Sequence, residues 1–385
     1  RVERVWLLSN CMVYNIWNKW DPLEVCMLGN NYAPEFFDGC DPKASDPLKR
    51  ICEETLEDLD GFKQILQQFG AEVIQPQLDP SERFIDNPYR YPRGPLQPRD
   101  HQIVIGNTCF TTRGDHPAIH QALANYDPIN TLFSDTFLLP PHKYEQIACK
   151  VSGDWPKYDD YANGCELKEH VVKEIKSLKY NCWCVSSATS FLLNDHRLLI
   201  GNNDSTYLRD ATPGIEYFIK KHTGLDLELE FANIDGHTDA NFHPIKPGAI
   251  LSLYDVQNYA ETFPGWDICY LPDQSWSKVQ DFSQLKKKNA GKWWLSGEEH
   301  NDKFTHFVET WLQDWVGYVE ETVFDVNVIM LDENHCCVSN PNNEQVNAFL
   351  KKHRVEPVYV PWRHRYFWDG GLHCITLDLK REGQE

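Results

Sequence analysis

The chain has 385 residues, 57 of them acidic against 37 basic, for a formal net charge of -20. So acidic a surface repels phosphate backbones and anionic bilayers, which argues against nucleic-acid and membrane-surface partners. No apolar run approaches the ~18 residues that span a bilayer, and a hydrophobic content of 41% is ample for a large core, so wholesale disorder is excluded.

In chain order, the first apolar run, EVCMLGNN (24–31), ends in a polar turn. The same pattern recurs at QIVIGN (102–107), RLLIGNN (197–203), GAILSLYD (248–255) and NVIMLDEN (327–334). Each predicts a buried strand stopped by Gly, Asn or Asp. Asp46-Pro47 predicts a helix start, with Leu48, Ile51, Cys52, Leu56, Leu59, Phe62, Ile65, Leu66 and Phe69 at helical spacing and Gly70 as its C-terminal cap. Thr212-Pro213 opens a second helix and Asn340-Pro341 a third, each followed by a strand. A strand, turn, helix, strand unit repeated in this way fits modules arranged around an axis, and an open α/β sheet would give the same order. The stretch from about 256 to 324 has no strand rhythm and reads as a helical excursion, a lid or an interface.

Thirteen cysteines form neither a disulfide framework nor a zinc site. Cys182 and Cys184 are one residue apart and Cys336 and Cys337 adjacent, so neither pair makes a C-x2-C knuckle. Most read as small buried hydrophobes in a reducing cytoplasm, and the first residues do not read as a signal peptide. The spacing of His116 and His120 is that of a helical metal pair, but Pro117 between them disfavours it, so no metal or other cofactor is expected.

Three segments hold residues fit for chemistry. In YFWDGGLHCITLDLKREG (366–383), two glycines allow a tight turn before Cys374, which should sit at the mouth of the following strand. A deprotonated cysteine is a strong nucleophile at neutral pH; the ordinary alternative is a buried thiol beside a glycine turn. In NIDGHTDANFHP (233–244), His237 and Asp239 are two apart and would share one side of a strand, suiting a histidine base tuned by a carboxylate. In LQPRDHQIVIGN (96–107), Asp100 precedes a strand.

Together and in this order, WDPLEVCMLG (20–29), the PRD segment (98–107), GHTDANF followed by KPGAILS, NVIMLDE and GGLHC-x-T-x-DL-x-R resemble the glycine amidinotransferase family of the pentein superfamily. The resemblance covers most of the chain and is weakest in 108–180 and 256–324. It implies a five-bladed α/β propeller formed as a single domain over 1–385, cytoplasmic and homodimeric. It also implies an enzyme that moves an amidino group from arginine or a related guanidino donor to an amine acceptor. By motif, Cys374 would be the nucleophile, His237 the proton donor and acceptor, and Asp100 and Asp239 the grip on the guanidinium. Alternatives are a guanidino-hydrolase of the same superfamily and an inactive guanidinium-binding relative.

The chain departs from the family pattern at three places. Ser190, in VSSATSFLL (185–193), stands where the family has an aspartate that orients the histidine, a loss that can cost ~10^4-fold in rate. Asp195 and Asp235 are the substitutes in reach along the chain. Val256 replaces an arginine that holds the substrate carboxylate, and Asp325 replaces a serine in the substrate-binding region. With a cation lost and an anion gained, the expected substrate is less anionic than arginine or glycine, unless Arg363 or Arg365 takes over the carboxylate clamp.

Overall fold

The structure, a computed structural model, describes residues 14–86, 93–111, 116–133, 185–194, 196–201, 206–232, 237–253, 259–271, 294–312, 315–316 and 325–383. Val256, Asp195, Asp235, Cys182 and Cys184 lie outside the described residues.

Among the described residues, five small sheets of three strands carry the fold. β1 (Leu23–Leu28) is followed by helix α1 (Pro42–Gln68) and β2 (Glu72–Ile74). The second sheet holds β3 (Gln102–Ile105), β4 (Thr108–Thr111) and, after α2 (Pro117–Tyr126), β5 (Thr131–Phe133). The third holds β6 (Ser190–Leu192), β7 (Arg197–Gly201) and, after α3 (Thr206–Thr223), β8 (Glu228–Ala232). The fourth holds β9 (Phe242–Lys246), β10 (Ala249–Leu253) and, after α4 (Tyr259–Thr262), β11 (Asp267–Leu271). Helix α5 (Asp302–Trp311) packs on α1. The fifth sheet holds β12 (Ile329–Asp332), β13 (His335–Val338) and, after α6 (Glu344–Lys352), β14 (Glu356–Tyr359). The short helix α7 (Arg365–Trp368) then leads to β15 (Thr376–Arg381).

One topology repeats in all five. The central strand pairs antiparallel with one neighbour and, after a helical crossover, parallel with the other. In the first sheet the antiparallel place is filled from the far end of the sequence, where β15 pairs with β1 in the register Met27↔Leu377 and Leu28↔Thr376. The five predicted strand–turn segments fall one in each sheet, but not in equivalent places. Those at 24–31, 197–203 and 248–255 are central strands, and those at 102–107 and 327–334 are antiparallel edges. Apolar content marks burial in a layered fold and does not mark position within the layer.

Helix starts moved where two start signals compete. α1 begins five residues before the predicted Asp46-Pro47, at Asp41-Pro42, where the Asp41 carboxylate accepts from Lys43 N at 3.1 Å; Pro47 is then inside the helix. Its missing N–H costs one hydrogen bond, which the buried face of the helix (Leu48, Ile51, Cys52, Leu59, Phe62, Leu66) outweighs. Gly70 does follow the helix, at φ 91°. α3 likewise begins before Pro213, whereas α6 begins after Asn340-Pro341, with Asn343 as its cap. The stretch 256–324, expected to be a helical excursion, contains strand β11, whose alternating DICYL completes the fourth sheet; residues 272–293 of it lie outside the described residues. Among the described residues, no helix is long and apolar enough to cross a membrane.

The junction of β15 with the second sheet is a buried ionic cluster. Asp378 lies 2.8 Å from Arg99 Nη2, 3.0 Å from Arg381 Nε and 3.6 Å from Lys19 Nζ, and all four side chains are buried. Burial pushes the Asp378 carboxyl up, but Arg381, Lys19 and Arg99 outweigh it and hold it well below the usual carboxylate range. Burial lowers Lys19 to about 8 despite that partner.

Candidate active site

Cys374 lies in the turn between α7 and β15, two residues before the strand, as its glycine context predicts. The turn is held from both sides. Arg99 Nε donates at 2.7 Å to the carbonyls of both His373 and Thr376. Asn327, just ahead of β12, uses its whole amide here: Oδ1 accepts from the backbone N–H groups of His373 (2.9 Å) and Cys374 (3.1 Å), while Nδ2 donates to Cys374 Sγ (3.0 Å) and to the Asp239 carbonyl (3.1 Å).

The two glycines are there for space. A methyl group on Gly371 would lie 2.6 Å from Asn327 Oδ1 and 2.7 Å from its Cβ, and one on Gly370 would overlap Gln97. Gly371→Ala is therefore expected to displace Asn327 and to cost about 1–3 kcal/mol of stability, read as a lower midpoint in urea unfolding. Gly61→Ala, in α1 with no atom within 4 Å of the added carbon, is the control and should be neutral or slightly stabilising.

His237 and Asp239 do not share a strand as expected. They sit on a tight 3-10 turn (Thr238–Ala240), tied by Asp239 N to the Ala188 carbonyl (3.1 Å) and by Thr238 Oγ1 to the Thr189 carbonyl (2.8 Å). The turn sends the two side chains to different surroundings. Asp239 is fully buried, with Oδ2 3.5 Å from Cys374 Sγ and 2.8 Å from His373 Nδ1, while His237 is 38% exposed with Nδ1 3.9 Å from Asp100 Oδ1. The structure thus brings Cys374, Asp239, Asp100 and His237 together from three separate segments. Oδ1 of Asp239 and Oδ1 of Asp100 are buried without a hydrogen-bond partner. Arg93 faces the other Asp100 oxygen at 3.6 Å and donates to the Trp368 carbonyl (2.9 Å) and to Gln97.

The electrostatics follow from this crowding. Burial pushes the Cys374 thiol well above its usual value, and the carboxylates of Asp239 and Asp100 push it further, against the Gly371 and Asn327 donors. Burial raises Asp239 to about 6, with His237 and Arg99 pulling it down. The site is a cysteine held as a neutral thiol beside two carboxylates that face inward with bare oxygens, an arrangement that invites a small cation.

Three further expectations have a location. Ser190 is buried at the start of β6, its Oγ 3.5 Å from Thr189 Oγ1; the carboxylate that the structure brings to His237 is Asp100. Asp325 is buried, and its Oδ2 accepts from Asn340 (3.2 Å) and from the α6 cap Asn343 (2.6 Å); the residue of that segment that reaches the cysteine is Asn327. Arg363 is committed to α1, bonded to Asp58, Glu57 and the Glu54 carbonyl, and buried Arg365 donates to Ser339 (3.3 Å). The arginine that faces the Asp100 carboxylate is Arg93. Sequence reasoning missed Arg93, Asn327 and His373, although the last two lie inside motifs that mark the site. His116 caps α2 from outside the helix, its Nδ1 accepting from Ala118 N. Among the described residues no group of three or more His, Cys, Asp and Glu is placed to hold a metal ion, and all eight described cysteines are free thiols.

No protein-family model matches the chain. It is 24% identical over 172 residues to the L-arginine:L-lysine amidinotransferase of Pseudomonas savastanoi pv. phaseolicola, a match covering 43% of this chain and 38% of that one. It is 26% identical over 174 residues to the mitochondrial glycine amidinotransferase of Xenopus laevis, covering 44% and 33%. The matched segment thus spans about a third of these relatives' lengths. The fold is similar to that of the inosamine-phosphate amidinotransferase of Streptomyces griseus, with a TM-score of 0.58 at 16% identity over 96% of this chain and 97% of that one. Over its matched segment the chain is similar in sequence to amidinotransferases, and its fold is similar to that of the inosamine-phosphate amidinotransferase.

Proposed function

We propose that the protein moves an amidino group from a guanidino donor to an amine acceptor through a covalent amidino-cysteine at Cys374. The observation that supports this is the meeting of a buried thiol with two carboxylates, Asp239 and Asp100, that each keep one bare buried oxygen. A guanidinium is a flat cation whose carbon is a poor electrophile. Paired carboxylates hold it in plane by charge-assisted hydrogen bonds and aim that carbon at sulfur. Arrival of the cation also offsets the charge that holds the thiol protonated, so on donor binding the thiol gives its proton to His237, directly or through water, and becomes the thiolate.

The thiolate attacks the guanidinium carbon, forming the S–C bond while the C=N electron pair moves to nitrogen. Collapse breaks the bond to the departing amine, which takes a proton from His237. The acceptor amine then attacks the amidino carbon, gives its proton to His237, and the C–S electron pair returns to sulfur. The Asn327 amide donor stabilises the thiolate at both ends of the cycle. Asp100 takes over from the absent aspartate at Ser190 as the carboxylate beside His237. The five sheets, closed by the β15–β1 pair, form the blades of a five-bladed α/β propeller in this reading.

The donor in this proposal lacks a free α-carboxylate. Val256 replaces the family's arginine, Arg363 is spent on Asp58 and Glu57, and Arg93 is engaged by Asp100, Gln97 and the Trp368 carbonyl. Incubation with decarboxylated arginine, followed by intact-mass measurement, should show a gain of one amidino group that is absent in Cys374→Ala and smaller with arginine itself. Release of the group to an added amine marks transfer; a ureido product with ammonia marks hydrolysis instead. The absence of an adduct with either donor would defeat the proposal.

A further inference from the structure

His373, next to the nucleophile, has no task in the transfer steps. Its surroundings are nonetheless specific. The side chain is 1% exposed, its ring lies nearly parallel to Phe191 (22°, centroids 5.7 Å apart) and edge-on to His243 (4.8 Å), and its backbone is pinned by Asn327 and Arg99. Nothing in that packing lets the imidazole swing. Its Nδ1 lies 2.8 Å from Asp239 Oδ2, the oxygen that is also 3.5 Å from Cys374 Sγ. An ionised carboxylate can only accept, so the proton in this bond belongs to Nδ1.

We propose that His373 is a positioning residue. By holding Oδ2 of Asp239, it fixes the plane of that carboxylate so that Oδ1 is turned to the substrate guanidinium. The inference rests on the amidino-transfer reading. A rotating carboxylate would divide its time between sulfur, imidazole and substrate; a locked one meets the guanidinium in a single geometry, which is what in-plane capture requires. Burial, reinforced by Arg99 and His243, holds the His373 imidazole well below its usual value, with Asp378 opposing. It therefore stays neutral across the working pH range and keeps one donor in one place. The ionisable groups around the pair are His237, Arg99, Asp100 and Cys374 on the Asp239 side and Arg99, His243, Asp378 and Lys19 on the His373 side. A donor to the ionised form favours that form, so losing it raises the pH at which Asp239 becomes protonated.

Asparagine and glutamine separate positioning from mere packing, because an Asn amide nitrogen falls near the place of Nδ1 and a Gln amide nitrogen near that of Nε2. In the Cys374→Ala protein, which binds without reacting, affinity for decarboxylated arginine is measured by calorimetry from pH 5 to 8. With His373 present, affinity should fall as pH drops through the Asp239 titration. His373→Asn should keep that affinity within about threefold and keep its pH dependence. His373→Gln should bind about 10–100-fold more weakly at neutral pH, the range expected for one hydrogen bond to a charged group, with its acid limb moved upward. Equal behaviour of the two variants, or a Gln variant that matches the parent, overturns the positioning role while the amidino-transfer reading stands. No binding by the parent with His373 present defeats that reading itself.

Discussion

Asp239→Asn is expected to unfold at a higher temperature than the natural chain at neutral pH and, under the proposed amidino transfer, to lose most of its activity. The carboxyl is fully buried and raised from its ordinary 3.8 to about 6. A carboxyl raised on folding favours the protonated native state. Its contribution is therefore fully present below pH 3.8 and is lost as pH rises through about 6. At about 1.36 kcal/mol per tenfold, holding it ionised at neutral pH costs about 3 kcal/mol. Asparagine removes that cost and can still accept from His373. The stabilisation should be largest above pH 6 and should shrink towards pH 4, which a pair of thermal melts would read. The activity loss should be about 10^2–10^3-fold, the usual effect of removing one preorganised charge-stabilising group. The Cys374 thiol should titrate lower in the variant, since one of the two carboxylates that hold it protonated is gone. A variant both less stable and still active would remove Asp239 from the role given to it.

Asp378→Asn is expected to be strongly destabilising. It leaves Arg99, Arg381 and Lys19 buried without their shared anion, and breaking a buried ionic cluster by removing one partner costs about 3–5 kcal/mol. The sign of the pH dependence is opposite to that of Asp239. A carboxyl held below its ordinary value stabilises the native state above pH ~3.8 and gives that up as pH falls through its lowered value. The gap between natural chain and variant should therefore be flat from neutral pH to about pH 4 and narrow only below it. Because Arg99 also holds the carbonyls of His373 and Thr376, the variant should lose the orientation of Cys374 even where it folds. Slower transfer together with faster alkylation of Cys374 by a thiol reagent would be the sign of that.

How far these features could be read from the amino acids depends on the range of the physics involved. Strands at 24–31, 102–107, 197–203, 248–255 and 327–334 were legible because an apolar run stopped by Gly, Asn or Asp is a local signal. Their places within the sheets were not, since β1 is completed by a strand from the far end of the sequence. The helix at Asp46-Pro47 was found but started late, because Asp41-Pro42 carries the same signal and only packing chooses between them. Cys374 and His237 stood out by context. Asn327 and His373 did not, because their contacts reach across 47 and 134 residues and neither residue type announces such a bond. The assumption that His237 and Asp239 face the same way failed because they occupy a 3-10 turn, where the two-residue alternation of a strand does not hold.

The β15–β1 pairing bears on how the protein is made. Arg381 is tied to Asn15, 366 residues earlier, so the first sheet emerges from the ribosome with one edge open. At ordinary elongation rates that edge waits about 20–70 seconds for its partner. The Cys374 turn, anchored through Arg99 and Asn327 to segments made before it, is assembled only after both have emerged. The same exposed edge makes a nascent chain a natural client for holding chaperones until synthesis passes residue 381.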